Sequence, residues 1–328
     1  MSVLQTVRSA TRGGPAGRRR RADLLGALPF FVLLVLVSVY GVMEPAVLDP
    51  SQVGYQLQSG MPLILVAVGQ TLAILVGGID LSVGGVVSLS SALIATQGST
   101  FPGGPWAAVI CILGVGLTAG GINGILVTLG RLPPFIATLA TWSIYSGLAL
   151  VILHKDGGTV PAEITDVALG TSVGLANSIW LLVIMLAAWL VFRRTPFASS
   201  LFAVGGDEAR ARLRGVRGDP VKIAAFSATG GFAAAAGLWL SATTTTGLPL
   251  AGDALILPSI AAIVLGGTSL TGGAGGIGLT VVGALILLVL RGVVAVLGLT
   301  PTFAYIVTSC LLIGMVALRH FARRLEED

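Results

Sequence analysis

The strongest constraint on this chain is a succession of apolar runs, each close to the 17–25 residues that an α-helix needs to cross the hydrocarbon core of a bilayer. Roughly ten such runs can be read, at about 25–43, 60–77, 83–98, 106–129, 134–153, 175–192, 222–241, 254–268, 277–298 and 302–319. Only 10% of the residues are charged and 55% are hydrophobic, against about 25% and 45–50% in a soluble domain. There is too little polar surface to coat a water-soluble globule, so the apolar faces must meet lipid or one another. The expected fold is all-α: a polytopic transmembrane bundle of about ten helices. Its 46 glycines suit such a bundle, because small residues let helix backbones approach closely in lipid. The run at 83–98 is short, and with the glycine run at 268–276 it is a candidate for re-entry rather than full crossing.

Charge gives the bundle a direction. Arg8, Arg12 and Arg18 to Arg21 form a basic tail within residues 1–24. Arg193, Arg194, Arg210, Arg212, Arg214, Arg217 and Lys222 fall in one central loop, 193–222, and Arg319, Arg323 and Arg324 close the chain. With the N-terminus inside, every Lys and Arg except Lys155 and Arg291 lies on the cytoplasmic side, which is the positive-inside pattern. The expected organisation is a cytoplasmic tail (1–24), one transmembrane domain (25–319) and a cytoplasmic tail (320–328). Each basic cluster abuts an apolar run, so a membrane surface explains the charge better than nucleic acid does. The basic start and the run 27–43 read as a retained first helix rather than a cleaved leader. External segments at 44–59, 154–175 and 242–253 carry Glu44, Asp49, Asp156, Glu163, Asp166 and Asp253.

Two internal similarities stand out. GGIDLSVG at 77–84 resembles GGTSLTGG at 266–273, and NGILVTLGRLPPF at 123–135 resembles RGVVAVLGLTPTF at 291–303. The second, offset by five helices, is the better evidence for two inverted halves, an arrangement found in transporters.

Among the acids, Asp80 alone sits within a long apolar stretch. A carboxylate at mid-bilayer costs at least about 2.5–3.5 kcal/mol on insertion scales. Its flanking glycines would interrupt a helix there, and broken backbone is tolerated at that depth only inside protein or beside a wet cavity. Asp80 or Ser82 could cap the helix that follows. Structural capping and a role in transport are the two readings of this residue. Gln70 and Asn123 both donate and accept, as a polyol ligand requires, although bundles also use such residues to tie helices together. Gln70, Asp80, Ser82 and Asn123 are therefore the candidate pathway residues. Arg291 is a charge inside an apolar run with no evident partner. Cys111 and Cys310 read as buried small hydrophobes, with no disulfide or metal spacing.

Within the central loop, Asp207 to Arg214 has acids first and arginines later, the order that suits a helix dipole. A short cytoplasmic helix there would be a handle for a soluble partner, where charge alone argues only for a solvated loop. No phosphate-binding GxxxxGK[ST], no HExxH and no GxSxG is present, and His154 and His320 lie in or beside polar loops. A membrane enzyme therefore lacks its reactive groups. A proton-coupled transporter usually needs several intramembrane acids, where only Asp80 qualifies.

The stretch GQTLAILVGGIDLSVGGVVSLS, Gly69 to Ser90, closely resembles the signature of ribose-type monosaccharide ABC importer permeases. Asn123 to Ile144, Thr195 to Val216 and Ser259 to Gly273 resemble further segments of that family in the same order. The resemblance implies a permease of the bacterial inner membrane, both termini cytoplasmic, working as a pair of membrane subunits. It implies a cytoplasmic ATPase partner and an extracytoplasmic sugar-binding protein. No cofactor is expected on this chain; ATP and Mg belong to the ATPase. The family's coupling helix would fall on Gly206, Asp207, Glu208, Ala209, Arg210, Ala211, Arg212, Leu213, Arg214, Gly215 and Val216. This sequence departs from the family pattern at Ala209, where glutamate is usual, at Ile256 and Pro258, where acids are frequent, and at Arg291, where asparagine is usual. Related permeases handle other small polar solutes, which is the alternative reading; an ion-coupled secondary transporter is the more distant one.

Overall fold

A computed structural model describes residues 15–299 and short pieces between 302 and 314. The helices are α1 (Pro15–Met43), α2 (Pro50–Leu75), α3 (Val83–Gln97), α4 (Pro105–Thr128), α5 (Pro134–Ile152) and α6 (Ala162–Leu169). They continue with α7 (Asn177–Phe192), α8 (Pro196–Gly206), α9 (Glu208–Leu213), α10 (Gly218–Thr244), α11 (Asp253–Gly266) and α12 (Ile277–Val296). Proline stands at several of the starts. Pro50, Pro105, Pro134 and Pro196 open α2, α4, α5 and α8, where the missing N–H would have had no helical partner anyway.

Every apolar run between 25 and 298 contains a helix, and the fold is helical, as expected. The count of ten crossings is not supported. Among the described residues six helices, α1, α2, α4, α5, α10 and α12, are long and apolar enough to span. A seventh exists only if α7 and α8 are joined across an 80° bend, and α3 and α11 are shorter apolar helices. The run at 302–319 lies largely outside the described residues. One exception to all-α is a two-residue hairpin, β1 (Thr171–Ser172) with β2 (Leu175–Ala176). Its turn residues Val173 and Gly174 both have positive φ, the hairpin turn whose twist matches its strands.

Helix α2 is the axis of the bundle. It is longer than the sequence reading allowed, beginning at Pro50 rather than near 60, and residues 60–76 are buried without a break. Helix α10 packs on α2, α3 and α4, α3 packs on α5, and α12 packs on α1, α2 and α11. Glycine makes the closest of these approaches. A Cβ on Gly120 would strike the Phe226 carbonyl, and one on Gly230 would strike the Gly116 carbonyl. Gly116, Gly120 and Gly124 thus form a small-residue stripe on α4 against α10, the packing lipid-embedded helices favour. Gly266 and Gly283 do the same between α11 and α12.

The two GG motifs share a local cause. Helix α2 ends with Gly77 at φ +81 and bonds from Gly77 N to Ile74 O and from Gly78 N to Ala73 O. Helix α11 ends with Gly267 at φ +102 and bonds to Val264 O and, from Thr268, to Ile263 O. Both are the same glycine-dependent helix stop, so that similarity needs no duplication. Inverted halves are not evident either. Packing converges on α2 and α10 rather than dividing into two equivalent sets, and the 291–303 segment runs past α12 into residues described only in part.

Candidate functional site

The break between α2 and α3 holds the one buried charged residue among the described residues, Asp80. Asp80 is fully buried. Its Oδ1 accepts the backbone N–H of Ser82 at 2.9 Å and the Ser82 hydroxyl at 2.6 Å. The side chain therefore ties the entrance of α3 without capping inside it, and Ser82 makes no cap bond of its own. Asn123 on α4 donates through Nδ2 to Ser82 Oγ at 2.6 Å and, at 3.5 Å, to Asp80 Oδ1. Three of the four candidate pathway residues thus form one cluster.

Helix α5 completes it with residues that sequence reasoning did not single out. Thr141 donates to Asn123 Oδ1 at 2.7 Å, which orients the amide so that its N–H₂ faces Ser82 and Asp80. The Thr138 hydroxyl accepts Leu81 N–H at 3.1 Å and lies 3.2 Å from the Ile79 carbonyl. Tyr145 donates to the Ala119 carbonyl at 3.2 Å, pinning α5 to α4. The cluster sits one to two turns in from the ends of α4 and α5, since Asn123 precedes Thr128 by five residues and Thr138 follows Pro134 by four. One atom is left over: Asp80 Oδ2 is buried with no hydrogen-bond partner. Such an atom is costly and marks a place that a polar group from a rearranged helix or a ligand would stabilise.

Gln70 does not join the cluster. It is fully buried on α2 with both amide atoms unpaired. Arg291 is exposed on α12 and takes part in neither of the two ion pairs among the described residues. Cys111 and Cys310 are exposed on the bundle surface rather than buried. No group of three or more His, Cys, Asp or Glu among the described residues could hold a metal.

The expected short helix after Gly206 is present as α9. Asp207 caps it, accepting Arg210 N–H at 3.0 Å and pairing with the Arg210 guanidinium at 2.9 Å. Glu208 binds Lys222 on α10 at 2.6 Å. Ala211 is buried, while Leu213 is 89% exposed. Beside α9 lies a polar groove of about 390 Å³ lined by Arg131, Glu208, Arg212, Asp219 and Lys222. A cavity of about 420 Å³ farther along, walled by Leu65, Leu72, Met185, Trp189 and Phe232 among others, is almost wholly apolar and offers little to a polyol.

Helix α9 reaches the buried cluster through backbone. The preceding helix, α8, ends at Gly205–Gly206, and a Cβ on Gly205 would collide with the Leu75 carbonyl at the end of α2. That same carbonyl accepts the N–H of Gly273, in the glycine loop after α11, at 3.1 Å. Three segments therefore meet at Leu75, five residues before Asp80. Glycine is required at Gly205 by close approach, and Gly273 also has φ +70.

Residues 53–316 match the family model described as branched-chain amino acid transport system / permease component. The ribose import permease protein RbsC of Bacillus subtilis (strain 168) is 35% identical over 88% of this chain and 91% of its own length. The fructose import permease protein FrcC of Rhizobium meliloti is 32% identical over 91% and 86%. The autoinducer 2 import system permease protein LsrC of Yersinia pseudotuberculosis serotype O:1b (strain IP 31758) is 34% identical over 87% and 81%. No solved structure matches the chain.

Proposed function

The chain belongs to the branched-chain amino acid transport system / permease component family, with ribose-type sugar importer permeases among its relatives, and from that premise we propose that it is the membrane subunit of an ATP-driven monosaccharide importer. The observation that carries this is likeness to sugar import permeases along nearly the whole chain. In this reading two copies form the pathway, an extracytoplasmic binding protein delivers the sugar, and a cytoplasmic ATPase holding ATP and Mg engages α9. The tails and the α9 end are cytoplasmic, in a bacterial inner membrane. Counting the bent α7–α8 pair and the short α3 and α11 with the six long helices, and adding the apolar run 302–319 as read from the sequence, gives ten crossings, and the similarity of 123–135 to 291–303 is read as the ancestry of two inverted halves.

Within that reading the geometry supports a route for the ATPase's motion. A displacement of α9 moves Gly205, which is seated on the Leu75 carbonyl, and so shifts the end of α2 and the Asp80 turn. Asp80, Ser82 and Asn123 act as a latch between α2–α3 and α4–α5; when it opens, Asp80 Oδ2 becomes available to sugar hydroxyls. Gln70 presents an unpaired donor and acceptor on the central helix α2.

The test is uptake by proteoliposomes containing the chain, its ATPase and its binding protein, with D-ribose and D-fructose first in the panel. Uptake should require ATP and survive a dissipated proton gradient. Uptake abolished by the ionophore and indifferent to ATP would replace this reading with the secondary-transporter one.

A further inference from the structure

Asp253 was expected in an external loop, and the structure places it elsewhere. After α10 the chain does not stay at the bundle's end but turns back along α3. Gly247 pairs with Gly157 through two backbone bonds and packs on Ala95, near the end of α3. Leu248 N–H then bonds to Ser91 Oγ at 2.8 Å and Gly252 N–H to Ser88 Oγ at 3.1 Å. A Cβ on Gly252 would strike the Gly84 carbonyl at the start of α3. From Ala95 to Gly84 is roughly 16 Å along a helix, so the segment, which ends in a turn at 249–252, runs about half a bilayer along α3 and α11 begins there. The serines of α3 satisfy backbone N–H groups that lipid would leave bare.

Asp253, the first residue of α11, accepts the indole N–H of Trp142 at 2.7 Å through Oδ1. Trp142 is eight residues from the start of α5 and ten from its end, an independent placement at mid-depth. Both side chains are partly exposed, and around them Ser143, Ile144, Ala254 and the 74%-exposed Leu257 face outward. Asp253 belongs to neither ion pair among the described residues. A part-exposed carboxylate facing hydrocarbon at this depth would cost several kcal/mol. This face therefore does not meet lipid; it meets water or protein.

We infer that Trp142 and Asp253 form a solute-contact site for a polyhydroxylated molecule, on the face of α5 and α11 that lines the pathway. The inference rests on the importer reading and names where in the chain the sugar is met. The carboxylate's Oδ2 is free to accept hydroxyl protons. The indole offers an apolar face to sugar C–H groups while its N–H fixes the carboxylate. A half-helix that begins at mid-depth beside a solute is a recurrent transporter arrangement.

Two measurements test it. In a C111A/C310A background, Leu257→Cys should react in proteoliposomes with a charged, membrane-impermeant methanethiosulfonate, and Gly114→Cys, on the open outer face of α4, should not. Asp253→Asn and Trp142→Phe should raise the KM for uptake about tenfold, the scale of one lost contact to a charged group, with ATPase binding unchanged. A Leu257→Cys thiol as inert as that at 114, or KM values within twofold of wild type, would overturn the site. The cysteine variants keep Trp142 and Asp253, so misfolding of Asp253→Asn leaves the labelling test in force. Absence of ATP-driven uptake by the unaltered protein would instead count against the importer reading, while labelling still judges whether this face is wet.

Discussion

Replacing Asn123 with alanine removes the one side chain that joins α3, α4 and α5 at the Asp80 turn. The loss can be worked from its three bonds: Nδ2 to Ser82 at 2.6 Å, Nδ2 to Asp80 at 3.5 Å, and Oδ1 from Thr141 at 2.7 Å. Side-chain bonds inside membrane bundles average about 0.6 kcal/mol each, which gives about 2 kcal/mol for the set. The Asp80 carboxylate keeps the two Ser82 donors, so it is weakened rather than orphaned. The freed Thr141 hydroxyl still has the Ala137 and Thr138 carbonyls at 3.2 Å. Thr141→Val, by contrast, deletes one bond but leaves the buried Asn123 Oδ1 unpaired, for about 1 kcal/mol. Asn123→Ala should therefore lower the thermal transition of the detergent-solubilised protein by several degrees and Thr141→Val by about half as much, with the double variant close to Asn123→Ala alone. Equal effects of the two single variants, or a double variant equal to their sum, would show that Asn123 is not the hub of the cluster.

Gly205→Ala forces a methyl group against the Leu75 carbonyl; overpacking of this kind costs about 1–3 kcal/mol, and the expected result is ATPase that still co-purifies but hydrolyses ATP without matching uptake. Reversing the charges at Asp207, Arg210 and Arg212 should detach the ATPase in a pull-down while moving the thermal transition little, since exposed ion pairs are worth about 0–1 kcal/mol. Gly120→Leu should abolish monodisperse protein by separating α4 from α10, whereas Gly114→Leu, with nothing within 4 Å of its Cβ position, should purify like wild type.

Much of this was legible in the sequence because burying charge and breaking helices are both expensive. A lone acid between glycines, Asp80, had to be covered by protein or a wet cavity, whereas Asn123 was marked only as a polar residue that could bind a solute or tie helices, not as its partner. The order of charges from Asp207 to Arg214 marked α9. Thr138, Thr141 and Tyr145 carried no such signal: hydroxyls on apolar helices usually bond their own backbone, and only the packing of α5 on α3 and α4 brings Thr138 to the turn, Thr141 to Asn123 and Tyr145 to the Ala119 carbonyl. The contact of Asp253 with Trp142 was hidden for a related reason. Composition reports that 245–252 is not helical, but not that it descends along the serines of α3. The junction at Leu75 was likewise hidden, because glycine-rich segments announce close approach without naming what approaches.

The enclosure of α2 has a consequence for how the protein is made. Ribosomes deliver α2 second among the helices, yet the elements that surround it, α10, α11 and α12, are synthesised last. In the interval Gln70 and Thr71 stand in lipid or against the translocon. Thr71 waits for Thr280, its partner at 2.7 Å, across more than half of translation. Assembly of this bundle is thereby timed by its C-terminal third, and a chain stopped before Gly218 would leave its central helix covered mainly by α7 and α8, as a substrate for membrane quality-control proteases.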